Sequence, residues 1–409
     1  MAQDPPKSDA SHLFDPAVAA CPHAAYRQLL EATPIARLPI TNGIVVSRYE
    51  DVMYALRHPK LFSSEIADQI ALGTDRPMIP QQIDPPNQTR YRKLLDPLFS
   101  RREMAHLEPL IRRNARELIE PLIDRGGCEF NQAFAIPFPA QAFLHLFGLP
   151  MEDLSLFLEF KNAIIRPQQI AHDPFDREEI SEIRSQAGRK IYAYFERLIS
   201  TRRIEPQEDL MSFLVNAEID GESLSHDEIL DIAYLQLLAG LDTVTATLGC
   251  HLAYLAAHPA QQRQLSESPQ KIEQAVEELL RWESPVSGVP RRVTQDLELS
   301  GISLKTGEMV FLLLGAANID PDAFAAADQV DFDRTRNRHI AFGGGHHRCL
   351  GSHLARLELR VALEEWHRQV PAYRIQAGET PLYSPGIREV QYLPLVWDSN
   401  PRRRPTETN

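Results

Sequence analysis

From Ile229 onward the chain runs apolar for nearly thirty residues, and Ile229, Ile232, Ala233, Leu235, Leu237 and Leu238 leave little polar surface. Ser225 and Glu228, three apart, open this stretch as a capping box, and only Gly240 and Gly249 interrupt it before His258. The pattern predicts a single helix of about 50 Å at ~1.5 Å per residue, buried along most of its length. Helical spacing also dominates from about Gln88 to Arg203, with breaks at Arg166-Pro167 and at His172-Asp173-Pro174. The interruption over 164–176 joins two long helices and is a candidate lid hinge. A helix near Pro22 to Ala32 precedes strands around Ile35 to Val46, turned at Thr41-Asn42-Gly43. Residues 60–83 show no helical period and read as a long loop, a length that in a compact domain tends to be functional. The expected class is mainly α with a small β-rich part (α+β).

Composition narrows this picture modestly. A chain of 409 residues has room for two or three domains, yet no linker, repeat or low-complexity block divides it, so one domain over 1–409 is expected. Its ends, about 1–17 and 399–409, read as flexible tails. The opening Met1-Ala2-Gln3-Asp4-Pro5-Pro6 is neither a signal peptide nor a membrane anchor. Cys21, Cys128, Cys250 and Cys349 lie far apart and suggest no disulfide framework, which fits a reducing cytoplasm. A net charge of −13 argues against nucleic acid as a partner. Between Arg90 and Arg116, however, eight Lys/Arg stand against three acids. That run is either a solvated helix face or a docking surface.

The candidate chemistry concentrates in Phe342-Gly343-Gly344-Gly345-His346-His347-Arg348-Cys349-Leu350-Gly351, ahead of a helix expected from about Leu350. Glycines let the backbone approach a flat partner closely. A helix start supplies N–H groups and a positive dipole end that favour a thiolate. These are the needs of a cysteine bound to haem iron. Two other readings are a buried structural cysteine and a zinc site of His346, His347, Cys349 and His353. The second lacks the separated ligand pairs that zinc sites usually carry.

A second irregularity sits inside the long helix, at Ala239-Gly240-Leu241-Asp242-Thr243-Val244. Glycine and a buried acid both weaken a helix, and such violations concentrate at functional sites. Thr243 is placed to bond back to a carbonyl and Asp242 to relay protons. A packing kink with a satisfied Asp is the bland alternative. Glu278 and Arg281 share one helix face at i, i+3, which on its own is an ordinary surface pair.

Taken together, these motifs resemble the cytochrome P-450 family. The cysteine run matches its F-G-x-G-x-H-x-C-x-G signature, the second segment its A/G-G-x-D/E-T-T/S motif, and Glu278 with Arg281 its E-x-x-R. Val244 departs from the second motif, as it does in the camphor-hydroxylating members. The similarity runs from about residue 20 to 398, and its soluble, unanchored form looks bacterial. It implies a triangular helical domain around a buried haem b, with a long central helix and Cys349 as the iron ligand. Phe342, Gly343 and Gly351 belong to the same signature. It implies His347, Arg291, Arg92 and Gln88 at the haem propionates, with Arg292 competing for the place of Arg291. Val289 stands where camphor-type members carry an acid. Arg334 completes a structural network with Glu278 and Arg281.

Function follows from the same resemblance. It implies a monooxygenase that uses O2, with Asp242, Thr243 and Gly240 serving oxygen activation and proton delivery. Electrons would come from NAD(P)H through a ferredoxin or flavoprotein donor, since the chain has no nicotinamide or flavin fingerprint. That donor would dock on a basic face including Arg92, Lys93, Arg101, Arg102, Arg112 and Arg113. Leu235, Leu238, Ala239, Val286, Ser287, Val289 and Ile387 are expected to line a pocket for a hydrophobic small molecule. The expected form is a cytoplasmic monomer with no nucleic-acid or membrane partner. A peroxide-driven enzyme of the same fold and a non-enzymatic haem sensor or carrier are the alternatives, and the intact Asp242–Thr243 pair weighs against the first.

Overall fold

The computed structural model describes residues 16–38, 43–68, 70–384 and 387–398. The hairpin turn at Thr41-Asn42-Gly43 and the terminal tails therefore lie largely outside the described residues, although the strands beside that turn pair as expected. Ile35–Arg37 runs antiparallel to Ile44–Val46. The second strand lies parallel to Met309–Leu312, which pairs antiparallel with Val289–Val293. Phe62–Ser63 closes this five-stranded sheet. A three-stranded sheet of Arg374–Ile375, Pro394–Val396 and Gly127–Glu129 ties the chain end back to the helices.

Helices make up most of the rest, and the expected central one spans His226–Ala257. Its capping box is complete: Glu228 N–H donates to Ser225 Oγ at 3.2 Å, and Ser225 N–H donates to Glu228 Oε2 at 2.7 Å. Two orphan donors at the helix start are thereby satisfied. The helix is long and apolar enough to cross a bilayer by composition, but it is sheathed by protein as a core helix.

Its two halves serve different cores. Ile229 to Leu241 packs with Phe143, Phe147, Phe157, Phe160 and Phe195. Val244 to Ala256 packs instead with Phe130, Phe134, Phe138 and Trp366. Burial of each such large apolar side chain contributes roughly 1.5–3 kcal/mol, so both ends of the helix are firmly held. Asp242 and Thr243 fall between the two clusters, and there a cavity opens beside the helix.

Two long helices, Leu154–Ile165 and Arg177–Ile204, flank the candidate lid hinge. The loop 60–83 is largely irregular, and Gly73 within it presses against the second of these helices. A Cβ on Gly188 would lie 1.8 Å from the Gly73 carbonyl oxygen, so this contact requires glycine.

Candidate functional site

Cys349 lies on the loop before the helix Ser352–Gln369, which starts two residues later than the sequence pattern indicated. The turn is fixed by Cys349 N–H donating to Phe342 O at 2.8 Å and Gly343 N–H to Ile340 O at 2.8 Å. Gly345 has φ +63, and a Cβ there would lie 2.2 Å from the Leu56 carbonyl oxygen. No other residue type fits that position. The thiol is open to an internal cavity rather than to bulk water. Burial pushes its pKa up, opposed by the Gly351 N–H and by Arg92, Arg356 and Arg348. Its ionised form therefore gains most from a cation in the cavity, as a bound metal centre provides.

The cavity holds about 380 Å³ and is walled mainly by apolar side chains. At its Cys349 end the donors are poorly matched by acids. Arg291 is buried, and among the described residues its side chain donates only to the neighbouring Pro290 carbonyl, at 2.6 Å. Burial pulls its pKa down to about 10, with Asp84 acting weakly the other way. His347 Nε2 has no hydrogen-bond partner among the described residues, and burial, with Arg291, Arg92 and His346 nearby, lowers that imidazole to about 3. Arg92 donates to Arg348 O at 2.6 Å. Its Nε lies 2.7 Å from Asp96, but the N–H is not aimed at that carboxylate and stays unbonded. Buried cations and orphaned donors of this kind fit a flat, dianionic group with two carboxylates, such as haem.

Strand alternation sends the two adjacent arginines to opposite sides. Arg291 faces the cavity, while Arg292 points outward and pairs with Asp68. Phe342, Gly343, Gly351, Val286, Val289, Leu235, Leu238 and Ala239 border the cavity as expected.

Gln88, Ser287 and Ile387 are placed differently. Gln88 is buried away from the cavity, and its amide donates to His346 O at 2.6 Å. That bond braces the cysteine loop. Ser287 and Ile387 lie off the cavity wall, and the Ser287 backbone carbonyl accepts from Gly315 N–H at 3.0 Å.

On the opposite wall, Thr243 Oγ1 donates to Ala239 O at 3.0 Å, the expected back-bond. Gly240 borders the cavity but leaves no vacant room above the helix. A Cβ there would come 3.0 Å from Phe143 Cδ2, so glycine admits the Phe143 ring. Asp242 is buried and turned from the cavity into an ion cluster. Arg166 donates to it at 2.7 and 3.0 Å, Lys161 Nζ lies at 3.4 Å, and Arg166 also binds Glu389 at 2.5 Å. Arg166 is one end of the candidate hinge, and this cluster anchors that end.

The E-x-x-R pair is buried rather than superficial. Arg281 donates to Glu278 at 2.7 and 2.9 Å, and Arg334 Nε donates to the same carboxylate at 2.9 and 3.1 Å. Arg281 also donates to Asn318 O at 3.0 Å, while Asn318 Oδ1 accepts from Ile340 N–H at 2.7 Å. The network is thereby linked to the start of the cysteine loop.

In the basic run, Lys93, Arg101, Arg102 and Arg113 are exposed. Arg112 is not free to dock anything. It donates to Glu108 and Glu364, both at 2.6 Å, and to Glu365 at 2.9 Å, inside a helix–helix ion network.

Sequence reasoning missed Phe143, Phe147, Met78 and Gln81 on the cavity wall, which come from elements remote in sequence. It also missed Gln236 and Thr247, although both sit on the helical face of Thr243.

A family model described as Cytochrome P450 matches residues 26–366. The chain is 35% identical over 384 residues to the mycinamicin IV hydroxylase/epoxidase of Micromonospora griseorubida, covering 91% of this chain and 94% of that protein. It is also 35% identical, over 356 residues, to the probable cytochrome P450 127A1 of Sinorhizobium fredii, covering 86% and 83%. The structure superposes on the bacillaene polyketide synthase cytochrome P450 PksS of Bacillus subtilis with TM-score 0.86 at 30% identity, covering 94% and 99%.

Proposed function

The chain belongs to the cytochrome P450 family and is a haem-thiolate monooxygenase, and from that premise we propose how its own residues share the work. Cys349 would hold the haem iron, with Arg291, His347 and Arg92 on the propionates. Bound there, haem supplies oxygen activation, which an electron-rich thiolate ligand favours. The observation that carries this assignment is a cysteine sulfur and unmatched cationic donors opening into one apolar cavity.

Oxygen chemistry needs protons brought to an apolar site. Thr243, with its hydroxyl at the cavity wall, is the group that would hold a donor there. Asp242 would move protons inward only after releasing Arg166, because both of its oxygens are engaged at rest. Its position between two cations keeps the proton route shut until that release. The cavity's apolar lining binds the substrate skeleton and excludes bulk water. The substrate is a hydrophobic small molecule; the Micromonospora relative is named for acting on mycinamicin IV.

The electron donor is an iron–sulfur or flavin protein, and its docking face is formed by Lys93, Arg101, Arg102 and Arg113, with Arg348 beside the cysteine. Arg112 is left out of that face because carboxylates occupy it. The cytoplasm is the compartment where such a donor and NAD(P)H coexist.

Turnover under labelled O2 tests the reading. One labelled oxygen atom should enter the product, and Cys349→Ser should abolish both turnover and the thiolate-type spectrum of the reduced carbonyl adduct. A Cys349→Ser protein that still turned over normally would end it.

A further inference from the structure

Most polar groups bordering the cavity are already accounted for. Arg92, Arg291 and His347 gather at the cofactor end, and the Thr243 and Thr247 hydroxyls donate to carbonyls of their own helix. Two amides remain. Gln236 on the central helix and Gln81 on the 60–83 loop both line the cavity, and neither has a hydrogen bond among the described residues. The helix itself does not call for glutamine at 236, because leucine has an equal or better helix propensity and would extend the apolar wall. An amide facing an apolar space is unfavourable until something bonds to it.

Resting on the monooxygenase reading above, we infer that Gln236 is a specificity-determining residue that bonds an oxygen function of the substrate. An amide both donates and accepts, so it suits a hydroxyl, ketone, ester or lactone and gives no preference for a charged group. The substrate class is therefore an oxygenated hydrophobic molecule rather than a bare hydrocarbon. The helix also sets a distance. Gln236 and Thr243 are seven residues apart, two turns, so they share one face about 10 Å apart along the axis at ~1.5 Å per residue. A substrate anchored at Gln236 presents to Thr243 a carbon about that far from its anchored oxygen.

Holoprotein and its Gln236→Met variant, which keeps side-chain length without polarity, are titrated with matched pairs. Testosterone is compared with androstane, and a macrolactone with the carbocycle of equal ring size, following the ferric spectral change. The ratio of the two Kd values within a pair cancels general hydrophobicity. That ratio should favour the oxygenated member about tenfold more in the parent than in Gln236→Met, the discrimination that one net hydrogen bond supplies. Products from the oxygenated probe should also lose positional selectivity in the variant.

Equal ratios in both proteins, with unchanged product positions, overturn the inference. So does a panel in which only hydrocarbons bind, or none of the oxygenated members does. Loss of the thiolate carbonyl spectrum in the parent would instead refute the haem assignment, so the two failures are distinguishable.

Discussion

Replacing Glu278 with Gln keeps the shape and removes one charge from the least exposed ion network among the described residues. Arg281 is 0% and Glu278 1% exposed at the side chain, and Arg334 is 8% exposed. The carboxylate receives both guanidiniums, the Asp331 N–H at 2.9 Å and the Asn337 amide at 3.0 Å. Breaking a buried pair by removing one partner typically costs about 3–5 kcal/mol, since the other charge is left uncompensated. Two cations are stranded here, but each also donates to carbonyls, Arg281 to Ala327 O and Gln329 O and Arg334 to Ala326 O and Gln329 O. These bonds hold the expected loss within that range rather than above it. Against a typical total of about 5–15 kcal/mol, the variant folds but is weakened. With a denaturant slope of about 2–3 kcal/mol per M, the urea midpoint should fall by about 1–2.5 M. Because Asn318 passes the network on to Ile340, the cysteine loop should loosen as well. The reduced carbonyl adduct should then shift toward the spectrum of a protein that has lost its thiolate ligand. Glu182→Gln, in the exposed pair with Arg189, is the control and should leave the midpoint where it was. A Glu278→Gln protein with the parent's midpoint and an intact thiolate spectrum would refute the argument, showing that backbone carbonyls alone satisfy both arginines.

Asp242→Asn should lower turnover about 10- to 100-fold and enlarge the solvent isotope effect while substrate Kd stays within about twofold, because proton transfer and not binding is impaired; an unchanged isotope effect would reduce Asp242 to a structural role. Glu365, held by Arg116, Arg112 and Arg368, has its pKa lowered to about 2 despite burial. Its contribution to stability is complete above the ordinary value of 4.5 and is lost as pH falls from there toward 2. Glu365→Gln should accordingly flatten the acid limb of a stability–pH profile, and an equally steep limb in the variant would count against this network. Arg76 clasps the 60–83 loop to the central helix through Asp231 at 2.8 and 3.0 Å, with Tyr192 on the same carboxylate at 2.9 Å. Arg76→Ala should speed ligand entry and release alike, each about tenfold for ~1.4 kcal/mol of lost contact, with Kd nearly constant in stopped-flow traces; a change confined to release would place the clasp in binding and not in gating.

What the sequence made legible follows the range over which each signal acts. The central helix, its capping box and the cysteine loop are local patterns, and the structure reproduces them with shifts of one or two residues. Strand alternation, also local, decides between Arg291 and Arg292 once the strand is known to face the cavity. The misplacements arise where a side chain's role depends on what comes back from far along the chain. Gln88 meets the His346 carbonyl across a separation of 258 residues, and Arg112 meets Glu365 across 253. Neither contact leaves a trace in spacing or periodicity. Asp242 is the instructive case. A buried acid in a helix interior must have a partner, so the sequence announces that one exists; it does not identify Arg166, 76 residues earlier, or Glu389, which shares that arginine. The physical consequence is larger than a missing detail. An acid aimed into the cavity would be a standing proton donor, whereas one clamped by Arg166 at the edge of the candidate lid is coupled to whatever moves that segment. Under the proposed roles, substrate entry past the 164–176 connection and proton delivery at Thr243 would share a single side chain. Displacing Arg166 is the event through which binding in the cavity would release Asp242 to work.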